Sequence, residues 1–179
     1  MSKKAVLIAA TPDGIPRLPS ARTTVMVAVL DPVTPDEVAA IADAVASSGA
    51  GYLFSWGFSS SELHDATDTA HIRIRGAYAD NHEFIMTSGA GSYNWRQAHF
   101  YYRKCATRCC GTVLRPVILA VSRDAAKAVR FLVSKGLLRR ASERTLVRVG
   151  GALVRQAGEG PLAVRGADAS GGRHPSWLN

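Results

Sequence analysis

A basic segment in the second half of the chain carries the residues best suited to contact an anion. From Trp95 to Arg155 the sequence has fourteen lysines and arginines and only two acids, Asp124 and Glu143. Arginine can bind phosphate oxygens through two parallel hydrogen bonds, and tyrosine adds a ring on which a base can stack. These residue types therefore indicate recognition of the phosphate backbone of a nucleic acid.

The residues expected to contact phosphate fall in three predicted elements. A helix predicted over 92–108 has an apolar stripe on one side and basic and aromatic residues on the others. A helix predicted over 122–135 adds two cations, and a strand predicted over 70–78 places two arginines and a histidine on one face. The predicted nucleic-acid-binding residues are Arg73, Arg75, Arg96, Tyr101, Arg103, Lys104, Arg108, Lys127 and Arg130.

Two short motifs indicate a second kind of chemistry. The motif His-Ile-Arg, which begins at His71, and the motif Tyr-x-x-Lys, which begins at Tyr101, resemble those of the rolling-circle replication initiators. That family places a metal-binding histidine pair on a strand and its nucleophilic tyrosine on a helix. The resemblance implies metal-dependent nicking, in which Tyr101 attacks a DNA phosphate and Lys104 matches the motif's lysine. Arg73 stands at the second histidine position, and arginine cannot bind a metal.

Two further clusters contain metal-binding atoms, but their spacing favours other roles. The predicted loop 59–69 and its border hold an acidic and histidine-rich group, for which solvated side chains are the favoured interpretation: Glu62, His64, Asp65, Asp68 and His71. A second group could hold one metal ion and consists of His99, Cys105, Cys109 and Cys110. It contains no Cys-x-x-Cys pair, so the cysteines are expected to be reduced and buried. We therefore expect no catalytic residue, no metal and no cofactor.

The cysteines and the apolar runs bear on where the protein is found. An odd number of clustered cysteines is typical of a reducing compartment. No apolar run approaches the roughly eighteen residues that cross a bilayer, and the first ten residues do not form a typical signal peptide. The expected location is intracellular, cytoplasmic or nuclear, without a membrane partner.

The net charge is divided between the two halves of the chain. Residues 1–94 have a formal net charge of −4 and residues 95–179 one of +12, which together give +8. This separation favours a nucleic-acid-binding protein without catalysis, with RNA, DNA, single strand and duplex all left open. The alternative from the same charges is an assembly protein whose basic half binds an acidic partner or another copy of the chain.

The predicted elements that position these residues follow a split β-α-β-β-α-β order. This pattern indicates an α+β fold with an antiparallel sheet, helices packed on one face, and a C-terminal helix and short hairpin. The first predicted helix has the clearest start, because Thr34, Pro35 and Glu37 form a capping box with proline at its first position. The predicted organisation is a flexible basic arm (1–22), one α+β domain (23–155) and a disordered tail (156–179).

Four aromatic residues alternate along the predicted strand 51–59 and share one of its sides: Tyr52, Phe54, Trp56 and Phe58. They are expected either to form a wall of the core beneath the helix 34–48 or to form an exposed platform on which bases stack. The sequence leaves both interpretations open.

Overall fold

The described structure is a single sheet with helices on both of its faces. A computed structural model describes residues 6–19, 23–76, 85–106, 114–138, 146–149 and 152–155. Its seven strands are β1 (Val6–Ala10), β2 (Thr23–Val29), β3 (Tyr52–Gly57), β4 (Met86–Gly89), β5 (Arg115–Val121), β6 (Leu146–Val149) and β7 (Ala152–Arg155). Its four helices are α1 (Pro35–Ser47), α2 (Ser60–Arg75), α3 (Trp95–Ala106) and α4 (Ala125–Ser134).

The strands lie in the order β4-β3-β2-β5-β1-β6-β7. The first five in that order are mutually parallel, β6 pairs parallel with β1, and β7 returns antiparallel to β6. The predicted antiparallel sheet is therefore wrong. The predicted hairpin is present as the β6–β7 pair, but it extends the edge of a parallel sheet.

The error in fold class comes from α2. Alternating apolar and polar residues predict a strand over 70–78, yet residues up to Arg75 belong to a helix. Helical spacing decides its burial, because Leu63, Thr67 and Ala70 lie inside while Ile72 is half exposed. With this segment helical, each strand from β2 to β5 is followed by a helix, which is the arrangement that produces parallel strands.

Strand β1 lies within the segment predicted as an arm. Val6–Ala10 pairs with β5 on one side and β6 on the other, and Leu7, Ile8, Ala9 and Ala10 are buried. Burial of this short apolar run stabilises it in the sheet, so residues 6–10 are not an arm. Residues 1–5 and the predicted tail 156–179 lie outside the described residues.

Two apolar cores separate the sheet from its two helical layers. Val25, Val27 and Val29 of β2 face α1 and α2, whereas Met26 faces α3 and α4. Strands covered on both faces are apolar in nearly every position, as β2 and β5 are. The prediction of helices on one face only is therefore also wrong.

The predicted start of α1 is confirmed in atomic detail. The backbone amide of Glu37 donates to the hydroxyl of Thr34 at 3.3 Å, and the amide of Thr34 donates to the carboxylate of Glu37 at 2.6 Å. The predicted helices over 92–108 and 122–135 correspond to α3 and α4. Among the described residues, no helix is long and apolar enough to cross a membrane.

Candidate functional site

The connections that leave two central strands diverge at the carboxyl edge of the sheet. β2 leads to α1 on one face, while its neighbour β5 leads to α4 on the other. In open parallel sheets a crevice forms at such a divergence, and ligands bind there. The loops after β2 and β5 therefore form the candidate ligand-binding edge of the sheet.

Asp31 occupies the centre of this crevice and is held by three donors. Its carboxylate accepts from the hydroxyl of Ser122 at 2.6 Å, from the backbone amide of Arg123 at 3.2 Å, and from the ammonium group of Lys127. The Lys127 hydrogen bond, followed by that of Ser122, holds the pKa of Asp31 below its ordinary value of 3.8. The ionised carboxylate clamps the end of β2 to the start of α4, so this part of the edge is already filled by an internal anion.

An open cleft of about 780 Å³ lies beside this clamp, between α4 and the carboxyl ends of β2 and β3. Its walls are aromatic and its rim is cationic. The indole of Trp56 stacks on the ring of Phe131, with centroids 5.8 Å apart, and donates to the carbonyl of Tyr93 at 2.8 Å. Six of the residues that line the cleft define its chemistry: Trp56, Phe58, Lys127, Arg130, Phe131 and Lys135.

Helix α3 presents its basic and aromatic residues to solvent. We use the name α3 surface for five exposed side chains of this helix: Arg96, Phe100, Tyr101, Arg103 and Lys104. The opposite side of the helix is anchored by Ala98 and Tyr102, which are fully buried. The ammonium group of Lys104 lies 5.4 Å from the centroid of the Phe100 ring. The rings of Tyr93 and Tyr101 stack with centroids 5.2 Å apart.

The charge around the α3 surface follows from the sequence. Between Glu83 and Asp124 the chain has no acidic residue, so α3 and its neighbours in sequence supply only positive charge. The helix begins with a reciprocal pair of hydrogen bonds between Asn94 and Gln97, at 3.1 and 3.0 Å, and uses no carboxylate for this purpose. The exposed side of α3 is therefore suited to anions.

A groove of about 700 Å³ runs between α3 and the end of α4. The ring of His99 lies parallel to that of Trp95 with centroids 5.4 Å apart. Burial, and then the charge of Arg103, holds the pKa of His99 below its ordinary value of 6.5. Six residues give the groove its basic and aromatic character: Trp95, Arg96, His99, Phe100, Arg103 and Lys135.

The structure brings together only part of the predicted binding set. Arg96, Tyr101, Arg103 and Lys104 lie together on α3. Arg73 and Arg75 lie in the last turn of α2, on the other face of the sheet and not on a strand, and Arg73 pairs with Asp43.

Two further predicted cations are engaged in ion pairs beside the cleft. Lys127 pairs with Asp31, and Arg130 pairs with Asp124 at 2.9 Å. Arg108 lies outside the described residues. The predicted binding residues therefore do not form one surface, because those on α3 lie apart from Arg73 and Arg75 on α2.

The two residues of the nicking motif are not close to each other. His71 is a buried residue of α2, whereas Tyr101 is exposed on α3 on the opposite face of the sheet. The arrangement implied by the resemblance to rolling-circle initiators is therefore not formed. Within the described ranges, no three histidine, cysteine or acidic side chains come close enough to hold a metal ion.

Sequence reasoning missed several residues that the structure places at these sites. Phe100 is not among the predicted binding residues, although it follows Arg96 by one helical turn and its spacing puts it on the same side of the helix. Phe58 and Phe131 meet at one cleft although they come from distant parts of the chain. No local sequence signal could have predicted that meeting.

These features define a doubly wound α/β protein with an aromatic cleft at its carboxyl edge and a basic helix beside it. The chain belongs to the family described as Domain of unknown function (DUF7684), whose model matches residues 6–138. The matched range begins at β1 and ends just after α4, so it contains both the cleft and the α3 surface. No curated protein and no solved structure matches the chain.

Proposed function

We propose that the protein binds the phosphate backbone of a nucleic acid through the α3 surface, without catalysis. The observation that carries the proposal is the solvent-exposed side of α3, where three cations and two aromatic rings lie within a segment that has no acid. Neutralising phosphates with lysine and arginine releases counterions, and this release supplies much of the free energy of such binding.

The exposed rings favour a single strand over a duplex. Phe100 is 57 % exposed and Tyr101 46 %. Exposure of large apolar rings to water is unfavourable, and a base that stacks on the rings removes it. The bases of a single strand are available for such stacking. RNA and DNA both satisfy this chemistry.

The groove beside α3 gives the strand a defined path. Arg96, Arg103 and Lys135 line it, and Lys135 comes from the end of α4. Cations from two helices therefore border the same depression. A nucleic-acid backbone that follows this groove would direct its bases towards Phe100 and His99.

Fluorescence anisotropy with labelled single strands of about ten nucleotides tests the proposal. We expect binding that weakens steeply between about 50 and about 200 mM salt. Replacing Arg96, Arg103 and Lys104 together by alanine should reduce the magnitude of the negative slope of log K against log salt by about 2.

The matched control replaces Arg73 and Arg75 by alanine, because these arginines lie on the opposite face of the sheet. This variant should bind like the unaltered protein. Absence of binding at low salt, or an equal loss in both variants, would rule out the α3 surface as the binding site.

A further inference from the structure

We propose that the cleft lined by Trp56, Phe58 and Phe131 binds a mononucleotide unit, with its flat heterocycle against the aromatic residues and its phosphate at the end of α4. This site goes beyond the α3 surface, because it lies in a different depression and needs only one nucleotide. Its position, shape and charge all suit such a ligand.

The backbone at the end of β3 is held in an unusual conformation that places Phe58 at the cleft. Gly57 has a φ of +95°, and a Cβ atom there would lie 2.1 Å from the carbonyl oxygen of Val29. The amide of Phe58 donates to that same oxygen at 3.0 Å, and Ser59 has a φ of +49°. Residues in sparsely populated conformations are found preferentially at functional sites.

Phe58 and Trp56 form an aromatic wall that exists before a ligand arrives. Phe58 is 50 % exposed, an unfavourable state for a side chain of its size that a stacked ring would relieve. Trp56 is fixed by its hydrogen bond to the carbonyl of Tyr93 and by its stacking on Phe131. A preformed wall lowers the entropic cost of binding a planar ring.

Helix α4 supplies the charge that complements a phosphate. Lys127, Arg130, Phe131 and Lys135 lie on one side of it, along about 12 Å at 1.5 Å per residue. Of the described residues that line the cleft, none is acidic.

The phosphate position follows from which cations are already occupied. Lys127 is bound to Asp31 and to the carbonyl of Leu30, so the phosphate belongs at the other end, near Arg130 and Lys135. Arg130 contacts Asp124 through one nitrogen and has further donors on its guanidinium group. The ammonium group of Lys135 lies 5.6 Å from the centroid of the Phe131 ring, at the junction of the aromatic and cationic regions.

The mononucleotide unit has two sources, a free nucleotide or the end of a strand. Ser134 and Lys135 line both the cleft and the α3–α4 groove, so the two depressions adjoin. A strand that lies in the groove could place its terminal nucleotide in the cleft. The heterocycle and phosphate are the chemistry shared by both sources.

Isothermal titration of the full chain with adenosine 5′-monophosphate, adenosine and inorganic phosphate tests the free nucleotide. Phe58→Ala should weaken binding of the monophosphate about tenfold, a typical loss for one stacked base. Lys135→Ala should weaken the monophosphate but not adenosine. Ile72→Ala is the matched control, because it removes an equally exposed apolar side chain from α2, on the other face of the sheet, and should leave binding of the monophosphate unchanged.

Linear and circular single strands of equal length test the strand end. If the terminal nucleotide enters the cleft, the linear strand binds more tightly and Phe58→Ala removes the difference. The proposal is overturned if the monophosphate does not bind and the two strands bind alike, or if Phe58→Ala changes neither measurement. Failure of the α3 proposal can be distinguished from failure of the cleft proposal. In that case the circular strand would not bind, while the monophosphate still would.

Discussion

At the scale of single residues, Tyr102 joins α3 to the centre of the sheet. Its hydroxyl accepts from the amide of Val117 at 3.0 Å and lies 2.9 Å from the carbonyl oxygen of Thr24, so it bridges β5 and β2. Pro116 lacks an amide hydrogen, and such a proline is typical of an edge strand or a bulge. The structure places β5 in the middle of the sheet, with the tyrosine hydroxyl bonded to the polar groups next to the proline.

Removing that hydroxyl should destabilise the protein without touching the proposed binding surface. Burial raises the pKa of Tyr102 well above its ordinary value of 10.0, so the neutral hydroxyl is the form that acts here. We expect Tyr102→Phe to lower the free energy of unfolding by about 1–2 kcal/mol, because buried backbone groups lose their partner. Urea denaturation measures this loss. Tyr101→Phe, at the exposed neighbour, should change stability by less than about 0.5 kcal/mol, and equal losses would contradict the assigned bridge.

His99 should make nucleic-acid binding depend on pH. Burial, and then the charge of Arg103, keeps its pKa below 6.5, so it is neutral at pH 7 and gains charge only in more acidic solution. Phosphates nearby stabilise the protonated ring, so affinity should rise several-fold between about pH 7.5 and about pH 5.5. Anisotropy titrations of His99→Asn should show a smaller rise. An identical pH dependence in both proteins would place His99 outside the interface.

At the scale of elements, the turn between β3 and α2 is the most constrained connection described. Gly57 pairs with Val29 in the sheet, and the following residues turn sharply to begin α2 at Ser60. Because the carbonyl oxygen of Val29 leaves no room for a Cβ atom, glycine is the residue that fits this position without a shift of the neighbouring backbone. The turn also fixes the direction of Phe58.

Substituting this glycine should be more costly than substituting another glycine with positive φ. We expect Gly57→Ala to lower the free energy of unfolding by roughly 3 kcal/mol, from the conformational strain and the steric clash together. Gly136 has a φ of +68°, but a Cβ atom there would meet nothing within 4 Å, so Gly136→Ala should cost only about 1 kcal/mol. Thermal denaturation of both variants compares their losses in stability. Similar losses would show that the clash between the new Cβ atom and Val29 is relieved by a shift of the backbone.

Some of the helices and strands could be predicted from local sequence signals, and others could not. The capping box at Thr34 is a local signal, and the helix start that it predicts is confirmed. In α2 the local signal is misleading, because Ile72 and Ile74 alternate with charged residues and yet stay exposed. Parallel pairing is set by contacts between distant segments, which a single sequence does not display.

At the scale of the whole molecule, two acids of the first half pair with cations of the second among the described residues. Asp31 pairs with Lys127 and Glu37 with Arg123, each across the carboxyl edge of the sheet. The separation of charge along the chain is therefore only partly a separation in space. The α3 surface is the part of the described basic half where cations and exposed aromatic rings lie together.

Contacts between distant segments of the chain also determine how much of the candidate site could be predicted. The basic and aromatic character of α3 is visible in the sequence, because one amphipathic helix contains it. The cleft could not be predicted, because Phe58 and Phe131 meet only through the order of β2, β3 and β5. Tyr52 and Phe54 pack beneath α3 and not beneath α1, a choice of face that alternation along one strand cannot decide.

The most direct test of the central claim is to find where nucleic acid touches the protein. Ultraviolet crosslinking of a bound single strand, followed by mass spectrometry of the peptides, reports the contacted aromatic residues. The α3 proposal predicts crosslinks at Phe100 and Tyr101 that disappear as the salt concentration rises. Crosslinks confined to α2, or none under conditions where the strand is bound, would contradict it.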